Sequence, residues 1–299
     1  MERDSLWGRI SVADAHVHFF SQRFFETLAS QKQGLKLEAI GAQLGWEMPP
    51  DDPGLLAAIW AQELDRNGVA HAAMIASVPG DAASVAAASC ACPGRFFAYA
   101  MVNPREWRPQ DYESMDAVCL FPAMHCFSLH DEMARPIFDW ARQHKRAVFV
   151  HCGVLSVGVR NKLGLPSPFD MRFSNPIDLH EIALRYPSVP FVIPHFGAGY
   201  FREALMVAGL CPNVCFDTSS SNHWMVYQES HLNLRQVFRA ALDVLGPKRL
   251  LFGTDSSFFP RGWHAQIFEE QAKALYELDL SVGDARLIFG ENLLRILQR

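Results

Sequence analysis

The chain has 299 residues, of which 49% are hydrophobic and 20% are charged, and its formal net charge is −5. A large core can therefore be buried, and neither disorder nor a nucleic-acid-binding surface is expected, because no basic run exceeds two residues. No apolar run approaches the ~20 residues that a transmembrane helix needs, and the N-terminus lacks a signal-peptide pattern. The seven cysteines include no CxxC pair, which favours reduced thiols in a cytoplasmic protein.

Eight short apolar runs alternate with amphipathic runs, and we predict them to be β-strands. They cover residues 10–18, 69–77, 96–102, 117–121, 147–151, 190–195, 213–218 and 249–255. After the first strand, Asp52 is predicted to be the N-cap of a helix with Pro53 at its first position. Asn175 and Pro176 repeat this pattern after the fifth strand. Helices are also predicted within 131–145, 201–210 and 265–278, whereas 103–116 is expected to hold only a short helix.

Eight strands alternating with helices predict a (β/α)₈ TIM barrel, which we expect to be a single domain over 1–299. An open doubly wound sheet is the alternative, but no Gly-rich phosphate loop follows the first strand. Two long connections, 19–51 and 153–174, follow strands one and five. In a barrel both would lie at the C-terminal ends of the strands, where active sites are built.

Polar side chains with metal-binding chemistry stand at the ends of four predicted strands. They are His16, His18, His151, His195 and Asp255. Residues at i and i+2 of a strand share a face, so the two histidines of "DAHVHF" can point the same way, joined by Asp14. Imidazole and carboxylate suit Zn²⁺ and, less selectively, Mn²⁺ or Fe²⁺. Each residue alone could be structural, for example an Asx-turn cap at Asp255. Their shared position at one end of the fold favours a metal site.

The motifs "DAHVHF", "VHCG", "PHFGAG", "FGTDSSFF" and "FGENLLRIL" resemble, in this order over 12–297, those of the amidohydrolase superfamily. They are most similar to its amidohydrolase-related branch, which includes aminocarboxymuconate semialdehyde decarboxylase and the resorcylate-type decarboxylases. The resemblance implies an enzyme with metal ligands His16, His18, His151 and Asp255. It also implies that His195 and Asp255 are catalytic.

The fourth strand bears on the number of metal ions. Dinuclear members of the superfamily carry a carboxylated lysine there, whereas this chain has "AVCLFP", with Cys119 at the plausible position. The resemblance therefore implies one divalent ion, Zn²⁺ or alternatively Mn²⁺. Some relatives, the pyrone dicarboxylate lactonases, are thought to work without metal, so a metal-free enzyme is a further alternative. By analogy with this branch, we also expect a homodimer.

The leading hypothesis for function is a mononuclear metal-dependent hydrolase of a small amide, lactone or ester. Metal-activated water would be the nucleophile, and Asp255 would accept a proton. The alternative is a metal-dependent nonoxidative decarboxylase of an aromatic or muconate-like acid. Two further hypotheses for function are an enzyme that hydrates an enol or diene acid and a noncatalytic barrel.

Residues in the loops after strands five, seven and eight are weaker candidates for substrate binding. An arginine commonly binds a substrate carboxylate. Phe-rich loops near residues 19–25 and 258–259 favour an apolar or aromatic substrate, although these rings could simply bury the loops. Each loop candidate could equally be an ordinary surface residue. The candidates are Arg160, Arg172, His223, Trp224 and, in addition, Arg261.

Overall fold

The structure, a computed structural model, describes residues 1–219 and 222–298, so Ser220 and Ser221 of the "SSSNHW" segment lie outside the described residues. A short antiparallel hairpin, β1 Arg3–Ser5 and β2 Gly8–Ile10, precedes one eight-stranded sheet. The strands of this sheet are β3 Val12–Phe19, β4 Val69–Ala76, β5 Phe96–Val102, β6 Ala117–Leu120, β7 Ala147–Val150, β8 Phe191–Ile193, β9 Val214–Asp217 and β10 Leu250–Leu251.

Each strand of the sheet pairs in parallel with the next one along the chain. The last strand meets the first, since the Ala15 amide donates to the Phe252 carbonyl at 2.8 Å and the His18 amide donates to the Ser256 carbonyl at 2.7 Å. A parallel bridge also joins Val17 to Ser256. The closed sheet with its surrounding helices is a (β/α)₈ barrel, as predicted.

Helices cover the outer face of the barrel and cap its two ends. Helix α3, Pro53–Arg66, begins as predicted, because the Asp52 carboxylate accepts from the Gly54 amide at 2.8 Å. The other helices are α1 Gln22–Ala29, α2 Leu37–Leu44, α4 Ala82–Ala91, α5 Pro122–His125, α6 Arg135–His144, α7 Gly158–Leu163, α8 Asp178–Arg185, α9 Phe201–Leu210, α10 Leu234–Leu245, α11 Ala265–Tyr276, α12 Val282–Arg286 and α13 Asn292–Ile296. A π-helix, Leu287–Glu291, joins α12 to α13.

Short 3₁₀ segments account for several connections. The weakly patterned link 103–116 holds two of them, Pro104–Glu106 and Pro109–Tyr112. The others are Met171–Phe173, Pro194–Gly197, Asn222–Tyr227 and Pro247–Arg249. The predicted cap at Asn175 is corrected: its side chain accepts from the Ile177 amide in a turn, and i→i+3 bonds delay the start of α8 to Asp178.

The barrel interior is an apolar core below a polar mouth. Alternate residues of each strand point inward, and the lower layers are mostly Ala, Val, Ile and aromatic side chains. Leu293, Ile296 and Leu297 at the C-terminus close the lower end. Cys119 lies in this core, whereas Phe121, two residues later, reaches the cavity above. The residue of the fourth barrel strand that faces the cavity is therefore Phe121, which corrects the expectation for Cys119.

The two long connections lie together over the C-terminal ends of the strands, as predicted. We call residues 20–50 and 154–170 the cap. Helices α1, α2 and α7 share a small separate core that includes Phe25, Ile40 and Leu163. Three hydrogen bonds link the segments: Lys32 Nζ donates to the Leu163 carbonyl at 2.9 Å, Gln43 Nε2 donates to the Lys162 carbonyl at 2.8 Å, and Arg160 Nη1 donates to Gln31 Oε1 at 2.8 Å. Within the described residues, no helix combines the length and apolar character needed to cross a bilayer.

Candidate metal centre

The structure brings the five strand-end residues together in one cavity of about 630 Å³. His16 and His18 belong to β3, and the other three lie within four residues after the ends of β7, β8 and β10. His195 and Asp255 both have left-handed backbone, with φ of 53° and 60°. Such non-glycine conformations are uncommon and occur where surrounding structure enforces them. The cavity lies between the barrel mouth and the cap.

A break in the strand alternation aims the two histidines into this cavity. Ala13 and Ala15 point into the barrel core, and the pairing of β3 with β4 shifts register between Asp14 and Val17. The next inward residues are then His16 and His18. Asp14 was expected to face inward with them, but its carboxylate accepts from the Trp263 indole at 2.7 Å in the layer outside the strands.

Three of the five residues form a compact cluster. His16 Nε2 lies 3.3 Å from His18 Nε2, and Asp255 Oδ1 lies 3.0 Å from His18 Nε2 and 3.6 Å from His16 Nε2. One ligand atom from each side chain fits within 4.8 Å of the other two. Among the described residues, this is the one group of three or more such side chains that could hold a metal ion.

Hydrogen bonds at the far side of each ring orient the two histidines. His16 Nδ1 lies 2.6 Å from the buried Asp217 carboxylate, so Nδ1 carries the proton and Nε2 carries a lone pair. His18 Nδ1 lies 2.6 Å from Ser77 Oγ, which can donate to the ring or accept from it, since Ser77 Oγ also lies 3.1 Å from the Ile75 carbonyl. When Ser77 accepts, Nε2 of His18 carries the lone pair that a metal ion requires. A hydrogen bond from each ligating imidazole to a second side chain is typical of metal sites.

This donor set fits a cation. Two imidazole nitrogens and one carboxylate oxygen converge, with the closest contacts at 3.0–3.6 Å. When both Nε2 atoms carry lone pairs, the three atoms are acceptors whose mutual repulsion a positive charge relieves. His16, His18 and Asp255 are therefore the residues that could hold a divalent ion.

His151 lies beside the cluster rather than within it. Its ring centroid is 5.5 Å from that of His195, and it stacks on Phe121 at 5.2 Å. The side chain is buried, yet Nδ1 has no hydrogen-bond partner among the described residues. A buried polar atom normally has a partner. The free nitrogen is consistent with a ligand in the cavity.

Ser219 orients the His195 ring. Nδ1 of His195 lies 3.0 Å from the Ser219 carbonyl oxygen, which can only accept, and 3.0 Å from the Ser219 hydroxyl, which can also donate. The carbonyl contact favours the tautomer with the proton on Nδ1, which leaves the lone pair of the neutral ring on Nε2. Its centroid is 5.0 Å from that of His16. His195 is thus oriented as a proton acceptor beside the cluster.

Burial and one carboxylate control the charges of these rings. Burial lowers the pKa of His18 and His195, and it holds the pKa of His151 well below its ordinary value. Burial also acts to lower the pKa of His16, but the charge and hydrogen bond of Asp217 outweigh it and raise the pKa. At Asp255, burial opposes the charged form, yet the contacts with His18 and His16 bring the pKa below its usual range.

The four predicted substrate residues divide into two groups. His223 and Trp224 line the cavity. Arg160 instead donates to Gln31 Oε1 at 2.8 Å, and Arg172 pairs with Asp170 at 2.5 Å on the surface. Neither arginine lines the cavity, so the structure does not bring them to the cluster. Arg261 lines an adjacent groove that shares Asp255 and His223 with the cavity.

Asp217, Ser77, Ser219 and Lys162 were not singled out from the sequence. Asp217 ends predicted strand seven, so the strand-end criterion that selected the histidines would also have found it. Gly253 leaves room for this pair, since a Cβ there would lie 2.6 Å from Asp217 Oδ1 and 3.0 Å from His16 Cβ. Lys162 carries no strand-end signal; only the fold of the cap brings it to the cavity.

The family model described as Amidohydrolase matches residues 13–299. The chain belongs to the amidohydrolase family. It is therefore an enzyme of hydrolase or lyase type that acts on small molecules, and the predicted resemblance is confirmed. Amidohydrolase superfamily members bind a divalent metal, and the His16–His18–Asp255 cluster is a candidate position for one.

Curated and solved relatives extend the comparison. The chain is 36% identical over 87 residues to protein fluG of Emericella nidulans, a match that spans 29% of this chain and 10% of that protein. A 5-carboxyvanillate decarboxylase from Novosphingobium aromaticivorans, with bound manganese, superposes with a TM-score of 0.64 at 14% identity, covering 97% of each chain. A probable 2-pyrone-4,6-dicarboxylic acid hydrolase from Acinetobacter baumannii gives 0.62 at 13%, covering 97% of this chain and 100% of that one. At these identities the two structures establish the barrel fold alone.

Proposed function

We propose that this amidohydrolase is a mononuclear metal-dependent hydrolase of a small amide, lactone or ester. His16, His18 and Asp255 would hold the ion, with His151 completing the site. Zn²⁺ suits this nitrogen and oxygen donor set, and Mn²⁺ is the alternative. The cavity-facing residue of the fourth strand is Phe121, which cannot be a ligand, and this supports one ion rather than two.

The proton position on His195 carries the choice of reaction. Hydrolysis starts by removing a proton from water, and decarboxylation ends by delivering a proton to carbon. In the tautomer that donates from Nδ1 to the Ser219 carbonyl, Nε2 of His195 can accept a proton but has none to deliver. Asp255, whose side chain is 30% exposed towards the cavity, is a second acceptor. A resting site with two acceptors fits hydrolysis.

A bound divalent ion would supply Lewis acidity, lowering the pKa of a coordinated water and polarising a substrate carbonyl. The chain's own residues would do the remaining work. Asp255 would take a proton from the attacking water and return it to the leaving group. His195 Nε2 would accept a hydrogen bond from that water and orient it. The cap would exclude bulk water from the cavity.

Decarboxylation of an aromatic acid is the second candidate, and the cavity wall is the observation that favours it. Trp46 and Phe258 stack at 4.1 Å with 9° between their planes, next to Phe20. Flat rings of this kind suit a planar aromatic substrate. The reaction would require His195 to carry a proton on Nε2, in addition to the proton on Nδ1.

Metal analysis combined with a substrate panel tests the proposal. Purified enzyme is expected to hold about one divalent ion per chain and to hydrolyse members of a panel of lactones, esters and aryl amides. His195→Asn and Asp255→Asn should each reduce kcat by at least about 10²-fold. Release of CO₂ from hydroxybenzoates, with no turnover of the other compounds, would establish the second candidate instead. Activity that persists after chelation would exclude a metal mechanism.

Four properties stay predictions: a single domain over 1–299, a homodimer, a cytoplasmic location and the lack of a nucleic-acid partner. Light scattering on the purified enzyme measures the particle mass, which is expected to be twice the chain mass of 33.6 kDa.

A further inference from the structure

Lys162 lies on α7 of the cap and lines the same cavity as the histidines. It is the one lysine or arginine among the described residues that line this cavity. Its backbone is anchored, because its carbonyl accepts from Gln43 Nε2 at 2.8 Å and the next residue, Leu163, is fully buried. The cap therefore fixes the backbone from which this ammonium group extends.

The Lys162 ammonium is unpaired, unlike nearby guanidinium groups. Among the described residues, Nζ has no hydrogen-bond or ion-pair partner, and its one recorded contact is the Trp46 ring, 5.8 Å from the ring centroid. Arg160 is held by Gln31 and by the Pro166 carbonyl. Arg261 donates to the Asp255 carbonyl at 3.2 Å and to Ser257 Oγ at 3.0 Å. Of these three cations, Lys162 is the one whose side chain makes no hydrogen bond among the described residues and also lines the cavity.

An aromatic wall connects the lysine to the metal cluster. Phe20 stacks on His18 at 5.6 Å and on Trp46 at 5.9 Å, and Trp46 lies beneath Lys162. A planar molecule lying on this wall would place one end at the histidines and its other end towards the ammonium group. A cation at one end of an apolar cavity selects a ligand with an anion there.

We propose that Lys162 determines substrate specificity by binding an anionic group, such as a carboxylate, at the end of the substrate remote from the metal cluster. The substrate class is then a planar amide, ester or lactone that carries this second group. The inference deepens the proposed hydrolase function and rests on it for the reacting end only. Recognition of the remote anion is a binding property and can be measured without turnover.

The test compares terephthalate with 4-nitrobenzoate, measured by isothermal titration calorimetry on the metal-loaded enzyme. Both offer one carboxylate to the cluster, and the nitro group at the far end of 4-nitrobenzoate has the shape of a carboxylate without its charge. Wild type is expected to bind terephthalate about fivefold to thirtyfold more tightly. Lys162→Gln should reduce this ratio to about one, and Lys162→Glu should invert it, whereas Lys162→Arg should retain it.

Lys36→Gln is the matched control, because Lys36 is an exposed lysine of the cap that does not line the cavity, and it should keep the wild-type ratio. A ratio that Lys162→Gln leaves unchanged, or an equal loss for both ligands, would overturn the assignment. Failure of the hydrolase proposal is a separate result, because it appears as absent turnover with the binding ratio intact.

Discussion

The two sides of the cavity differ in the side chains that their strands present. The ends of β4, β5 and β6 contribute Ser77, Met101 and Phe121, which leave this side largely apolar. The titratable groups lie on the other side, on β3 and after β7, β8 and β10, around the point where β10 meets β3 to close the barrel. One side therefore shapes the ligand space, and the other holds the groups that do the chemistry.

The difference shows how buried charge is tolerated. Polar groups cost free energy in an apolar surrounding unless they are hydrogen-bonded. On the polar side, Asp217 orients His16, and the Ser219 carbonyl orients His195. On the apolar side Ser77 is a polar exception, and its hydroxyl contacts His18 on the neighbouring strand β3.

Removing a cluster ligand should have the largest effect on the polar side. We expect His18→Ala to reduce bound metal from about one ion per chain to below about a tenth, and turnover by at least about 10²-fold. His18 has Ser77 rather than a buried carboxylate behind it, and Asp255, its partner on the cavity side, keeps His16 Nε2 at 3.6 Å in this variant. Elemental analysis and kcat measure both quantities.

His264→Ala is the control, because His264 lines only the adjacent groove and lies outside the compact cluster. It should keep its metal. Full metal content in the His18→Ala enzyme would show that the ion, if bound, lies elsewhere.

Gly153 joins the two loops that carry His151 and His195, and replacing it should destabilise the polar side. Its φ is +80°, and an added Cβ would lie 2.2 Å from the Gly197 carbonyl oxygen and 2.3 Å from that of Ala198. We expect Gly153→Ala to lower the free energy of unfolding by about 2–4 kcal/mol, measured by urea denaturation. Gly158→Ala is the control, since nothing lies within 4 Å of its added Cβ. Equal stabilities for the two variants would refute this account of Gly153.

The barrel could be predicted because hydrophobic alternation and helix caps are local signals. All eight predicted strands exist, and their ends differ for identifiable reasons. Strand 190–195 shortens to Phe191–Ile193 because Pro194 has no amide proton for the ladder. Strand 249–255 shortens to Leu250–Leu251, since the Phe252 amide donates to the Ile288 carbonyl instead of to a neighbouring strand.

The contacts within the site could be predicted only in part. The positions of the strand ends indicated which residues meet at the barrel mouth. The register shift in β3, which lets His16 face the cavity while Asp14 points away from it, leaves no recognisable pattern in the sequence. The pairing of His16 with Asp217 joins residues 201 positions apart. Arg160 and Arg172 were favoured by charge alone, and local partners hold them elsewhere.

Asp217 should affect the metal without being a ligand. We expect Asp217→Asn to weaken metal affinity about tenfold to a hundredfold, because the amide is a poorer acceptor for His16 Nδ1–H and lowers the basicity of Nε2. Competition with a chelator of known affinity measures the change. Asp243→Asn, an exposed aspartate on α10, is the matched control and should bind metal like the wild type. Unchanged affinity in Asp217→Asn would mean that this hydrogen bond does not tune the site.

Replacing His125 should give the smallest effect, a change in how stability depends on pH. It tests whether burial lowers the pKa of a histidine on the apolar side. No carboxylate partner compensates there, and burial, followed by the charge of Arg105, lowers the pKa of His125 to about 4. Between pH ~6.5 and ~4 the unfolded chain binds a proton that the folded chain does not, so stability falls as the pH is lowered. His125→Gln removes this titration. Over that range the variant should lose about 1–2 kcal/mol less than wild type, a figure reduced for partial exposure of the side chain. Parallel stability curves for the two proteins would show that His125 titrates normally, and that burial on the apolar side does not control its charge.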